Sequence, residues 1–249
     1  DRLKQTEKLN PEQKQTRLMT ELRDKLKLPK LPYTIECFDN SNISGTDAVA
    51  GCIVYKKMKP SKKDYRKYNI KTVEGPDDYA SMQEVLRRRL QRAADGDEKF
   101  LPLPDVFLID GGETHARAAQ TVAWEFGVDV PIFGMVKDDR HRTRALVTPE
   151  GREIGIVTQQ AVFSLIGQIQ EETHRFAITY HHESHSKSAT RSALDGIPGV
   201  GEKRRAELRK HFGTIKAIRE ADVETLAAVV PRAAAQAVWE HFHPKNENV

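Results

Sequence analysis

The sequence predicts an α/β domain, a mixed sheet with flanking helices, followed by a small all-α domain that carries a helix-hairpin-helix. Three observations carry this. Strand-like runs rich in β-branched and aromatic residues alternate with amphipathic helical patterns over most of the chain. Val106-Phe107-Leu108-Ile109 is a continuous apolar run, as a central strand covered on both faces requires. Beyond the polar stretch His181 to Arg191 only short helical patterns remain, opened by Gly196-Ile197-Pro198-Gly199-Val200-Gly201.

Taken in order, Asp1 to Lys27 reads as a marginally amphipathic helix with Leu18, Leu22 and Leu26 spaced by four, closed by Pro29 and Pro32. Three strand-like runs follow, Tyr33 to Asp39, Ala48 to Tyr55 and Asp64 to Thr72, joined by short polar connections that suit an antiparallel meander. Gly75-Pro76-Asp77-Asp78 opens a helix to about Ala94, because Pro and Asp belong at a helix start and Tyr79, Met82, Val85 and Leu86 form a stripe. The apolar strand at Val106 stops at Asp110-Gly111-Gly112. A helix from about Thr114 to Phe126 leads to a short strand, Pro131 to Val136. Two weak strands, Ala145 to Thr148 and Glu153 to Val157, precede a helix from about Gln159 to Ile178. The expected organisation is a helix or linker over 1–28, the α/β domain over 29–182, a linker over 183–192, the hairpin domain over 193–243 and a tail over 244–249.

With 38% hydrophobic and 31% charged residues, a net charge of +4 and a pI near 8.9, the composition fits a soluble globular protein and leaves the partner open. No apolar run approaches the roughly 20 residues of a membrane span, and no signal-peptide pattern precedes the chain, so a cytoplasmic protein without a membrane partner is expected. Cys37 and Cys52 sit in apolar runs without metal-ligand spacing and read as buried thiols. A chain starting at Asp1 within a charged helical pattern reads as a fragment of something longer.

Chemistry is expected where two strands end. A right-handed helical crossover between the third and fourth strands makes the fourth parallel to its neighbour. If that neighbour is the first strand, Asp39 and Asp110 end side by side, about 4.8 Å apart, and can share a divalent cation. Either Asp alone fits ordinary turn chemistry; both at one edge point to a site. In Asp77-Asp78 one residue reads as a helix cap and the other as a complement to the helix dipole. His174 lies on the flank of the late helix beside Gly167 and Glu171, while Val162, Leu165, Ile166, Ile169 and Thr173 form its buried stripe. By pattern alone such a histidine is more often solvated than functional.

The hairpin points to nucleic acid. Gly199, Val200 and Gly201 allow close backbone approach and can aim N–H groups at phosphate beside a helix start, with Lys203, Arg204, Arg209 and Lys210 adding charge. An ordinary Gly-Pro turn is the alternative. Lys62, Lys63, Arg66 and Lys67, the run Arg87-Arg88-Arg89, and Arg140, Arg142 and Arg144 are further candidate contacts, each equally a solvated face.

Four segments, Ile35-Glu36-Cys37-Phe38-Asp39-Asn40-Ser41-Asn42, Ile70 to Met82, Leu108-Ile109-Asp110-Gly111-Gly112 and Glu171-Glu172-Thr173-His174-Arg175-Phe176-Ala177 onward to His181, together resemble the C-terminal half of the UvrC family, the incising component of the bacterial UvrABC excinuclease. The resemblance runs in order from about Leu26 to Phe242. It implies an RNase H-like endonuclease domain followed by tandem helix-hairpin-helix motifs, making the incision 5′ to a lesion in nucleotide excision repair. The implied partners are damaged duplex DNA and UvrB, with UvrA upstream. The implied catalytic set is Asp39, Asp110 and His174, with Asp78 as an additional acid, and Asp39, Asp110 and His174 would bind Mg²⁺ or Mn²⁺. The chain departs from the family at Glu113-Thr114-His115, where Lys-Gly-Gln or Lys-Gly-His is usual, and at the second hairpin, Val229 to Ala234, which lacks Gly-x-Gly. Two other readings stand beside this one: a non-catalytic DNA-binding module, and an RNase H-like nuclease for hybrids or branched DNA.

Overall fold

The computed structural model describes residues 10–41, 49–73 and 77–244, with the backbone alone at 40–41 and 181–192. The start of the expected lead-in helix, Asn42 of the first-strand motif, Gly75-Pro76 and most of the tail lie outside the described residues. The chain divides into two compact units, Asp1–His181 and His182–Val249.

In the first unit, α1 (Pro11–Leu26) is followed by β1 (Thr34–Ser41), β2 (Val49–Lys56), β3 (Lys59–Pro60) and β4 (Arg66–Asn69). Then come α2 (Asp78–Ala94), β5 (Val106–Ile109), α3 (Glu113–Glu125), β6 (Ile132–Lys137), β7 (Thr143–Val147), β8 (Glu153–Gly155) and α4 (Gln160–Leu194). The strands form one sheet in the order β3-β2-β1-β5-β6-β7-β8, with β4 beside β2. β5 lies parallel to β1, Ile35 opposite Val106 and Phe38 opposite Ile109, and β6 lies parallel to β5. The other pairings are antiparallel. The helical crossover through α2 thus returns the chain beside its first strand.

Period-2 alternation splits the core into two layers. Ile35, Cys37, Val106, Leu108, Phe133 and Met135 pack on one face against α1 and α4. Phe38, Phe107, Ile109 and Ile132 pack on the other against α2 and α3. α1, expected as a lead-in helix, places Met19, Leu22 and Leu26 in the first layer. Its start is fixed locally: Asn10 accepts from Gln13 N–H, Gln13 Oε1 accepts from Asn10 N–H, and Pro11 supplies a preset φ.

Two expectations change here. α4 continues past Ile178 to Leu194, through the segment read as a polar linker. No Gly or Pro interrupts the sequence between Gly167 and Gly196, and its Ser, Thr and His residues lower helix propensity too little to end the helix. The basic run of α2 is likewise no solvated face throughout. Arg89 is fully buried and its guanidinium grips Glu36 through two 2.8 Å hydrogen bonds, while Arg87 pairs with Glu125 and Arg88 with Glu84.

The second unit contains α5 (Glu202–Phe212), α6 (Ile215–Glu220), α7 (Val223–Ala227) and α8 (Arg232–Phe242) around Ile197, Val200, Leu208, Ile218, Leu226 and Val238. No described helix is long and apolar enough to cross a membrane.

Candidate active site at the sheet edge

Strand alternation decides where the acids point. Ile35 and Cys37 face the α1/α4 layer, and Asp39 is the next residue of that row; Val106 and Leu108 are followed by Asp110 in the same way. The parallel register sets the two carboxylates at one height, and Asp110 N–H donates to Phe38 O at 2.8 Å. On α4, buried Val162, Ile166, Ile169 and Thr173 face the same layer, and His174 stands beside them with its side chain 59% exposed. His174 Nδ1 lies 3.1 Å from Asp39 Oδ2. One ligand atom from each of Asp39, Asp110 and His174 falls within 4.8 Å of the others.

Both acids are held almost out of water. Asp39 is 6% exposed, and the Asp110 side chain 2%. Burial, and then the negative charge of Asp110, push the Asp39 carboxyl from its ordinary 3.8 up to about 6, against the lowering by the hydrogen bond and charge of His174 and by the Lys137 ammonium.

Sequence reasoning did not single out Lys137. It ends β6, where Phe133 and Met135 already line the α1/α4 layer, and its Nζ stands 2.7 Å from Asp110 Oδ1. The contact is an ion pair whose angles fall outside hydrogen-bond geometry, so this buried oxygen has a cation beside it but no aligned donor. A signal was available: β6 follows β5 through a helix, so the crossover rule that pairs Asp39 with Asp110 also brings the end of β6 to the same edge.

A divalent cation suits this donor set. The two carboxylates suit Mg²⁺ or Mn²⁺, with the imidazole as a weaker ligand, and ligands about 2.1 Å from such an ion sit roughly 3 to 4.2 Å apart. The present spacing needs only modest closing, and the Asp110 oxygen without an aligned donor would be shared between the cation and the Lys137 ammonium.

Asp78 stands outside this group. It is the exposed first residue of α2, behind the cap Asp77, whose Oδ1 accepts from Ala80 N–H at 2.9 Å. Glu113, the departure beside Asp110, is turned aside. Its carboxylate pairs with Arg117 and lies so close to the β7–β8 turn that a Cβ at Gly151 would meet its Oε2 at 2.9 Å. His115 packs over the Asp110-Gly111 turn, where a Cβ at Gly111 would fall 2.5 Å from its ring.

In the hairpin, Gly199 has φ +77° and Gly201 caps α5 without a side-chain bond. Val200 acts differently from the expectation: its N–H donates to Ile197 O within the turn, and its side chain is buried. Lys203 and Lys210 are exposed, Arg204 and Arg209 half-buried, and Arg204 Nη1 donates to Gly199 O. In the second hairpin Val230, Ala234 and Ala235 are core residues and Arg232 pairs with Glu224 at 2.6 Å.

Residues 5–178 match the family described as UvrC RNAse H endonuclease domain, and residues 192–242 match the SAM-like helix-hairpin-helix tandem. The chain is 53% identical over 240 residues to the UvrABC system protein C of Bacteroides thetaiotaomicron, covering 96% of this chain and 39% of the relative. The same protein of Bacteroides fragilis (strain ATCC 25285) is 52% identical over 241 residues, with 96% and 39% covered. The chain therefore spans well under half the length of these relatives. Among solved structures, human ENDOV aligns with a TM-score of 0.40 at 11% identity, covering 69% of this chain and 98% of that one. The Endonuclease_V of Bacillus subtilis aligns at 0.31 and 15%, covering 70% and 95%.

Proposed function

The chain belongs to the family of UvrC RNase H endonuclease domains, with an RNase H-like fold followed by a helix-hairpin-helix tandem, and from that premise we propose that it cuts the damaged strand 5′ to a lesion in nucleotide excision repair. Its substrate is damaged duplex DNA and its partner the damage-loaded UvrB protein. What supports the reading most is the meeting of Asp39, Asp110 and His174 within 4.8 Å at one sheet edge.

Asp39, Asp110 and His174 would hold a Mg²⁺ or Mn²⁺, which supplies Lewis acidity to the phosphodiester and to a water. The buried carboxylates fix its position, because strand ends packed on both faces cannot shift far. Asp39 holds the imidazole through Nδ1, which leaves the Nε2 lone pair either to ligate the cation or, in its place, to accept a proton. Lys137 balances the charge of Asp110, and beside a bound cation its ammonium would be available to a phosphate oxygen.

The test is an incision assay on a damaged, 3′-nicked duplex with UvrB and Mg²⁺ or Mn²⁺. Asp39→Asn, Asp110→Asn and His174→Ala are each expected to lose about 10² to 10⁴ in rate, the range of lost acid–base or metal-site groups. Full activity in all three overturns the assignment.

A further inference from the structure

Beside the active site runs a groove of about 450 Å³ whose floor is one stripe of α4 and whose wall is the turn between β6 and β7. Phe163, Gly167 and Gln170 line the floor, and His174 continues the same row, spaced by four, three and four residues. The wall begins immediately after Lys137 and offers Arg140, His141 and Arg142. Both sides of the groove are therefore continuations of elements that deliver a residue to the site. We propose that this groove is a subsite for a single nucleic-acid strand leading away from the phosphodiester being cut, its base against Phe163 and its phosphate against the arginine turn. The inference rests on the nuclease reading above.

Three features fit that occupant. First, the wall is built rather than loose. Asp138 accepts from the N–H groups of Arg140 and Arg142, each at 2.9 Å, and from the Arg142 guanidinium. Gln170 ties the turn to α4: its Oε1 accepts from Thr143 N–H at 2.9 Å and its Nε2 donates to His141 O at 2.8 Å. Second, the floor is bare in its middle. Gly167 sits inside a 35-residue helix, where glycine costs about 1 kcal/mol relative to alanine, and a Cβ there would meet nothing within 4 Å. Packing does not require the glycine, and an open floor is consistent with it.

Third, the reach is right. At 1.5 Å per residue, Gly167 lies about 10 Å and Phe163 about 16 Å along the helix from His174. With stacked nucleotides rising about 3.4 Å each, the groove takes the third to fifth nucleotide from the cut. Phe163 is half-buried against the α1/α4 layer and Arg142 is paired with Asp138, which leaves the accessible part of one aromatic ring and the exposed Arg140 guanidinium, the two kinds of contact by which single strands are held.

The test pairs groove variants with shortened substrates in the same incision assay. Gly167→Leu fills the floor while raising helix propensity, so folding is preserved or improved; Arg140→Glu reverses the wall's charge. On the full substrate each is expected to lose about tenfold in kcat/KM, the order of one lost stacking or phosphate contact. Wild type is expected to lose a similar factor when the strand on one side of the cut is shortened to two nucleotides. The variants are then expected to lose nothing further on that shortened strand. Wild-type behaviour on both substrates, or independent losses that multiply, overturns the groove. A second arm does not depend on cutting: in Asp110→Asn bound to a duplex carrying 5-iododeoxyuridine at the third to fifth position, photo-crosslinking is expected at Phe163. Crosslinks confined to other segments also overturn it. If wild type makes no cut but Phe163 crosslinks, the nuclease reading fails and the groove stands.

Discussion

On the proposed function the sheet edge and the hairpin would both deal with phosphate, and they are built in opposite ways. At the edge, Asp39 and Asp110 are held almost out of water by strands covered on both faces, with Asp39 pushed up to about 6. In the hairpin the cations Lys203 and Lys210 stand in solvent, and the special feature is backbone: Gly199 at φ +77° and an uncapped start of α5 at Gly201. A reacting site gains by holding carboxylates where charge is costly, because a bound cation then relieves it. A gripping site gains by keeping charge hydrated and displaceable, so that many sequences are held alike.

If that contrast is right, the two regions separate under mutation. Asp110→Asn is expected to lower incision by about 10² to 10⁴ while leaving duplex affinity within twofold. Gly199→Ala combined with Gly201→Ala is expected to weaken duplex binding about tenfold and leave Mn²⁺ binding untouched. At Gly199 a Cβ has room, its nearest neighbour being Arg204 Nη1 at 3.8 Å, so the cost is that of a left-handed backbone, about 1–2 kcal/mol. Isothermal titration with Mn²⁺ and gel-shift titration with a duplex read the two effects independently. Loss of metal binding in the glycine variant breaks the comparison.

Within the edge itself, Lys137 sharpens it. An ammonium 2.7 Å from Asp110 Oδ1 opposes any second cation on that carboxylate, so Lys137→Met is expected to tighten Mn²⁺ binding about tenfold. Weaker binding shows instead that the lysine orders the ligands. The pH dependence has a definite sign. Without metal, the folded protein holds the Asp39 proton up to about 6, whereas the unfolded chain releases it near 3.8. This group's contribution to stability is therefore present at low pH and is lost as pH rises through that window. Metal binding must displace the same proton, so Mn²⁺ affinity is expected to fall by about tenfold per unit below pH 6. An affinity flat between pH 7 and 5 contradicts the burial of Asp39.

The sheet and the meeting of its two acids were legible in the sequence because both depend on rules with few exceptions: alternation along a strand and the hand of a crossover. Val106 to Ile109 had to be central, so Asp110 had to lie beside the end of a neighbour. His174 was less legible, since its position on the flank of α4 also suits a solvated histidine; only tertiary packing brings it within 3.1 Å of Asp39. Lys137 was hidden by a boundary: Lys137 to Arg142 reads as one charged loop, and charge alone does not say that its first residue still belongs to β6. The end of α4 was hidden by composition: a run of Ser and His looks like a linker, but the run contains no Pro to break the helix and no Gly to weaken it.

The smallest expected effect separates the two hairpins from each other. Lys203 is exposed in the first turn of α5, where a phosphate on the helix start would come within its reach. Each phosphate contact releases about 0.9 of a counterion, so Lys203→Ala is expected to flatten the slope of log K against log salt by about 1 and to weaken binding only a few-fold. Arg232, the first residue of α8 in the second hairpin, already commits its guanidinium to Glu224 at 2.6 Å, and the turn before it buries Val230 and contains no glycine. Arg232→Ala is therefore expected to leave the salt slope unchanged. Duplex titrations between 50 and 200 mM salt, on the order of the range where such slopes are resolved, decide the matter. An equal flattening in both variants makes the hairpins equivalent grips, and a flattening in Arg232→Ala alone reverses their roles.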